Sequence, residues 1–246
     1  MRFAVLADVH GNYLALEAVL ADIKRQGVTE IVNLGDMVSG PMDAHRTVEL
    51  MMGMNAVCVR GNHDRYVTDW TLDEMYPSDR LAHSQLTPAQ MDWLRALPHS
   101  AIYRDEVYCV HATPDDDNTY WMEAVTPEGV VHMAAIEDIE AKAAGIPQSL
   151  ILCAHTHIAR SIRLRDGRMI VNPGSVGGPG YRDVVPYPHA LEVGTPDACY
   201  AIVEKRDGRW DVTFRQVPYD HEKMAALARK NERAEWANAL ATGWIR

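Results

Sequence analysis

The chain has 246 residues, of which 47% are hydrophobic, and 34 Asp and Glu against 24 Lys and Arg give a formal net charge of −10. This length and apolar content support a buried α/β core and exclude a disordered chain. The acidic balance argues against stable nucleic-acid binding through a broad basic face, yet leaves phosphate substrates open, because divalent metals can carry the missing positive charge.

Residues 2–7 form an apolar run that ends at Asp8. It is too short for a signal-peptide core and reads as a first strand, so a cytoplasmic location is expected. Leu16, Val19, Leu20 and Ile23, at i, i+3, i+4 and i+7, predict a helix closed by Gly27. A second apolar run, 30–34, ends at Gly35-Asp36, a helical stretch follows Pro41, and a third run, 56–59, ends at Gly61-Asn62-His63. This alternation predicts βαβ units and a mostly parallel sheet.

Residues 65–105 are less regular and read as a helical insertion, in which Thr87, Pro88 and Gln90 mark a helix start. Strand-like runs resume at 107–110, before His111, and at 149–153, before His155. Asp166-Gly167 predicts a hairpin within 160–172. Asp207-Gly208 makes a similar turn between 199–205 and the alternating Trp210, Val212 and Phe214. From about residue 219 the tail reads as terminal helices, which either cap the monomer or build a homo-oligomer. The whole chain, 1–246, is expected to be one domain. No apolar run approaches the roughly 20 residues a membrane span needs. Cys58, Cys109, Cys153 and Cys199 lie in apolar stretches without a CxxC pair and are predicted to be buried, reduced thiols.

Asp8, Asp36, Asn62, His111 and the pair His155 and His157 each fall within a few residues of the end of a separate strand-like run. In α/β sheets the carboxyl ends of strands are where ligands bind, so these segments would deliver oxygen and imidazole donors to one edge. That donor set suits Mn, Fe, Zn, Co or Ni. With His10 added, the donors are too many for one octahedral ion and match two ions bridged by a carboxylate.

The series Asp8-Val9-His10, Gly35-Asp36, Gly61-Asn62-His63-Asp64, His111 and His155-Thr156-His157 resembles the calcineurin-like metallophosphoesterases in order and spacing. The resemblance implies a layered α/β/β/α sandwich with mixed sheets and helices outside. It implies that Asp8, His10 and His157 bind one divalent metal, that Asn62, His111 and His155 bind a second, and that Asp36 bridges them. A metal-bridging hydroxide would attack the phosphorus. His63 would lie beside the phosphate, stabilising the transition state or protonating the leaving oxygen. Asp64, by its adjacency to His63 alone, is a candidate supporting residue. The stretch from Asn172 to Gly180 matches the NPGS motif of the small bacterial and archaeal branch. There Asn172 and Ser175 would bond phosphate or ligand-bearing loops. Arg182, just beyond, reads either as a substrate clamp or as an ordinary surface arginine.

Met37-Val38-Ser39-Gly40-Pro41 lacks the Asp-Arg pair usual near this point in the Ser/Thr protein phosphatase branch. It is closer to the GD-x-V-x-x-GP pattern of the small branch, one residue shorter. The expected activity is therefore hydrolysis of a small phosphodiester or nucleotide, with no membrane partner. A phosphomonoesterase or Ser/Thr protein phosphatase, and a non-catalytic scaffold of the same fold, are the alternatives. Ala112 and Ala154 stand where the family usually has Gly, which requires a negative φ at both. Asp115, Asp116 and Asp117 read as a solvated loop.

Overall fold

The computed structural model describes residues 1–245. Strand β1 (Arg2–Leu6), helix α1 (Tyr13–Arg25), β2 (Ile31–Asn33), α2 (Ala44–Met52) and β3 (Ala56–Cys58) alternate as predicted. Three helices follow: α3 (Asn62–Asp69), α4 (Pro77–Gln85) and α5 (Pro88–Ala96). Helix α5 starts at the predicted box, where Thr87 Oγ1 accepts the Gln90 N–H and Gln90 Oε1 accepts the Thr87 N–H. Next come β4 (Ser100–Tyr103), β5 (Val107–Val110), the short β6 (Glu123–Val125) and β7 (Val131–Met133), and α6 (Ile136–Lys142). The chain continues through β8 (Leu150–Leu152), β9 (Arg160–Arg163), β10 (Met169–Asn172), β11 (Gly180–Asp183) and β12 (His189–Glu192). It ends in the hairpin β13 (Ala198–Arg206) and β14 (Arg209–Val217), then α7 (His221–Lys230) and α8 (Ala234–Thr242).

Two five-stranded sheets form, in the orders β14-β13-β1-β2-β3 and β4-β5-β8-β10-β9. Strands β1, β2 and β3 run parallel, as do β5, β8 and β10. Both sheets are mixed, because antiparallel β13 and β14 complete the first and β4 and β9 edge the second. The two predicted hairpins are β9–β10 and β13–β14.

The period-two alternation of the strands explains the layering. Phe3 and Val5 of β1 pack with Val107, Cys109, Leu150 and Leu152 between the sheets. Ala4 and Leu6 face the opposite way, onto Leu16 and Val19 of α1 and Val48 and Met51 of α2. On the outside of the second sheet, Val110, Ile151 and Ile170 pack against Ile139 of α6 and Trp121. The order of layers is thus α/β/β/α, as the resemblance implied. A further apolar cluster joins Met224 and Ala228 of α7 and Leu240 of α8 to Tyr13 at the start of α1. All four cysteines are free, and all but the half-buried Cys58 are buried. Among the described residues, no helix is long and apolar enough to cross a membrane.

Candidate metal centre

The strand ends deliver the predicted donors. Asp8 follows β1, Asp36 follows β2, His111 directly follows β5, and His155 and His157 follow β8. Asn62 opens α3 just after β3. Five of these side chains sit on left-handed backbone: Asp8 at φ 55°, His10 at 50°, Asp36 at 53°, His155 at 70° and His157 at 61°. Such conformations cost about 1–3 kcal/mol each in non-glycine residues and persist where surrounding structure enforces them. Ala112 and Ala154 are not in the left-handed region, so their methyl groups are accommodated.

Two clusters result. Ligand-type atoms of Asp8, His10 and His157 lie within 4.8 Å of one another, as do those of Asp36, His111 and His155, and all six residues are buried. Asn62 Oδ1 is 2.9 Å from His111 Nε2 and joins the second cluster. Asp36 Oδ2 faces both clusters, 3.3 Å from His111 Nε2 and 4.0 Å from His10 Nε2.

The hydrogen bonds fix the ring tautomers. His10 Nδ1 lies 3.0 Å from the Ser39 carbonyl, His157 Nδ1 2.5 Å from that of Gly178, and His111 Nδ1 2.8 Å from that of Leu34. Carbonyls only accept, so each Nδ1 carries the proton and directs Nε2 into the site. His155 is turned round: its Nε2 donates to the Asn118 carbonyl at 3.0 Å, leaving Nδ1 for the site.

Two observations show that these residues fit divalent cations. His10 Nε2 and His157 Nε2 face each other at 3.1 Å, both as acceptors, which a cation between them would resolve. Both carboxylate oxygens of Asp8 are buried without a hydrogen-bond partner among the described residues, a costly arrangement unless a cation satisfies them. Burial and the neighbouring His157 push His10 down to about 4, which favours the neutral, ligating ring. At His111 burial opposes the charge, but the Asp36 carboxylate outweighs it and raises the imidazole to about 10. A metal would compete with that proton for the same nitrogen.

The expected supporting residues act on the loops. Asp64 is fully buried and accepts the N–H groups of Asp36, Gly61, Met37 and Val38, tying the second ligand loop to the third. Burial and the Asp36 carboxylate push its pKa up to about 7, against the pull of these donors. Gly35 permits the close approach of the two loops: its φ is +97°, and a Cβ there would run into Gly61 N. Asn172 donates to the Ala154 carbonyl at 2.9 Å and to Thr156 Oγ1 at 3.0 Å, pinning the His155–His157 loop. Ser175 donates to the Asp8 carbonyl at 2.8 Å and accepts the Gly178 N–H at 2.7 Å. Gly178 lies between the first-cluster histidines, where a Cβ would sit 2.8 Å from His157 Cε1 and 3.0 Å from His10 Cδ2. Arg182 is exposed and pairs with Glu235 of α8 at 3.5 Å.

Three features escaped the sequence reading. First, His63 Nδ1 is 2.9 Å from Oδ1 of Asp79, a fully buried residue on α4. Burial lowers the His63 pKa, but the Asp36 and Asp79 carboxylates prevail and raise it to about 9. Second, the acidic loop is only partly solvated. Asp117 is buried and takes a bidentate contact from Arg65 Nε and Nη2, both at 2.7 Å. Tyr66 donates its hydroxyl to Asn118 Oδ1, so α3 clamps the loop that orients His155. Third, Trp236 of α8 lies beside His10, with ring centroids 5.5 Å apart. Only the acidic cluster gave a signal in the sequence. The other two partners are brought in by helices whose placement no local motif encodes.

The two-sheet sandwich gathers buried histidines, carboxylates and an amide at its strand ends, a donor set that suits divalent metal ions. Residues 1–187 match the calcineurin-like phosphoesterase superfamily domain, and the chain belongs to that family. It is 29% identical to the uncharacterized protein MJ0912 of Methanocaldococcus jannaschii, over 95% of this chain and 94% of that protein. The fold is similar to a metallophosphoesterase from Sphaerobacter thermophilus, with a TM-score of 0.75, 27% identity and 99% of each chain covered. It is also similar to the hypothetical protein PH1004 from Pyrococcus horikoshii OT3, with a TM-score of 0.76 and 20% identity, covering 100% of this chain and 99% of that one.

Proposed function

We propose that the protein is a dimetal phosphoesterase that hydrolyses a small phosphodiester or nucleotide. The observation that carries this reading is the position of Asp36 Oδ2, which faces both buried donor clusters. Asp8, His10 and His157 would hold one ion and Asn62, His111 and His155 the other, with Asp36 between them. When bound, the two ions supply Lewis acidity, activating water near neutral pH and offsetting charge on the phosphoryl oxygens.

His63 is the proton donor of this reading. Its Nδ1 is engaged by Asp79, which leaves Nε2 to face the departing oxygen. The raised pKa keeps that proton in place at neutral pH. Its backbone N–H also donates to Asp36 Oδ1 at 2.9 Å, so the donor and the shared carboxylate are held as one unit. The scaffold alternative is disfavoured because no ligand-type residue of the motif series is replaced. The reading treats residues 1–246 as one working unit, and the four free thiols suit a reducing cytoplasm.

The diester preference is supported by the segment Met37-Val38-Ser39-Gly40-Pro41, which lacks the Asp-Arg pair usual near this point in the protein phosphatase branch. A monoesterase is the second reading, because Asp79 supplies from α4 a carboxylate for the histidine that the segment after Asp36 lacks. Assays on the Mn-supplemented protein decide between them. Higher kcat/KM on bis-p-nitrophenyl phosphate than on p-nitrophenyl phosphate or a phosphopeptide is expected, and the reverse order would move the assignment to the monoesterase.

A further inference from the structure

The hairpin β11–β12 follows the last ligand of the motif series, yet it reaches back to the ligand loops. Its register sets Tyr181 opposite Leu191 and Asp183 opposite His189. Side chains alternate along a strand, so Tyr181, Asp183 and His189 share one face. Arg182 takes the other face, where it meets Glu235 of α8. The first face converges on Tyr120, a buried residue in the loop before β6. The Tyr120 hydroxyl lies 2.9 Å from His189 Nε2, 3.1 Å from the Tyr181 hydroxyl and 3.4 Å from Asp183 Oδ2. His189 Nδ1 donates to the Tyr187 carbonyl at 2.6 Å, which anchors the network in the turn of the hairpin.

Both tyrosines bear on the two histidines that follow β8. Tyr181 donates its hydroxyl to the His155 carbonyl at 3.0 Å. Its ring meets that of His157 edge to face, with centroids 4.8 Å apart. Tyr120 packs its own ring beside His155, at 5.3 Å between centroids. His155 and His157 stand on left-handed backbone, at φ 70° and 61°, which a non-glycine residue holds only under constraint from its surroundings. Tyr181 thus touches one ligand-type residue of each cluster, by its hydroxyl on one side and its ring on the other.

We propose that Tyr181 is a positioning residue for both donor clusters. Its hydroxyl fixes the main chain that aims His155 at the second ion, and its ring fixes the imidazole of His157 at the first. Tyr120 holds the Tyr181 hydroxyl in place and flanks the His155 ring. Neither tyrosine is a ligand, and both act through the histidines. Groups that orient ligating side chains in this way set metal affinity by about 10–100-fold. The inference rests on the dimetal phosphoesterase reading and adds to it residues outside the motif series.

Calorimetric titration of the full-length, metal-free protein with Mn tests this, with H155A marking the binding step that belongs to the second cluster. Y181F keeps the ring and loses only the hydroxyl. It should weaken the marked step roughly tenfold and leave the other within about threefold. Y181L, which also loses the ring, should weaken both steps. Y120F should weaken the marked step by a smaller factor, and it carries the test if circular dichroism shows that Y181F does not fold. A marked step that stays within about threefold of wild type in folded Y181F would overturn the proposal, as would a loss confined to the other step. So would a lowered melting temperature of metal-free Y181F with both steps unchanged, which would make the contact structural only. Failure of the Mn-loaded wild type to hydrolyse bis-p-nitrophenyl phosphate would instead sink the phosphoesterase reading, and the titrations remain readable in that case.

Discussion

His63 and Asp79 are joined at 2.9 Å across two helices, with the histidine in the first turn of α3 and the fully buried carboxylate in the first turn of α4. The other oxygen of Asp79 accepts the Tyr76 N–H at 3.2 Å, so the carboxylate is fixed by its own helix before it fixes the ring. This contact ties the helical region after the third motif to the candidate proton donor.

His63→Ala should retain both metals and lose turnover by about 10²–10⁴-fold on substrates with poor leaving groups. The loss should be smallest for p-nitrophenyl esters, whose leaving group needs no proton. Asp79→Asn should share that leaving-group dependence with a smaller loss, about tenfold, and little change in KM. Rate measurements over a series of leaving groups, with metal analysis of each variant, check both outcomes. A fall in metal content in His63→Ala would make His63 a ligand.

Asp36→Asn removes the charge that faces both clusters. Both ions should weaken together, and titration of the apo variant with Mn should show two weakened steps. Loss of a single ion would show that Asp36 serves one site.

The motif residues were legible because each ends an apolar strand, and strand ends are dictated by the same alternation that builds the sandwich. Leu6 packs on the helices and Phe3 between the sheets, so the turn after β1 must emerge at the shared edge, carrying Asp8. The box at Thr87 and the hairpin turns were legible for a similar reason, since their signals are local. Asp79 was not, because its approach to His63 depends on how α4 packs. Asp117 looked like a solvated acid, since its partner Arg65 lies 52 positions away. Trp236 looked like part of a terminal helix, and its meeting with His10 depends on α7 and α8 docking against Tyr13 of α1.

Away from the site, Asp22 ties α1 to the edge hairpin. It accepts from Arg215 Nε at 2.5 Å, Tyr200 Oη at 2.7 Å and Arg25 Nη2 at 2.9 Å. The Arg215 bond, with Tyr200 and Arg25 and against burial, lowers its pKa from 3.8 to about 2. A depressed carboxylate contributes stability that is complete above its unfolded pKa and lost as pH falls through the folded one. Asp22→Asn should therefore cost about 1–2 kcal/mol at pH 7, allowing for solvent screening of the partly exposed arginines. The difference from wild type should shrink between pH 4 and pH 2. Urea unfolding at several pH values measures it, and a gap that is constant down to pH 2 would contradict the assignment.

The central claim is that two donor clusters sharing Asp36 hold two divalent ions. Metal analysis of the purified protein after reconstitution with Mn and removal of excess ion tests it most directly. The account predicts about two ions per chain, with loss of phosphoester hydrolysis on chelation and recovery on adding Mn back. One ion per chain, or none after reconstitution, would contradict it.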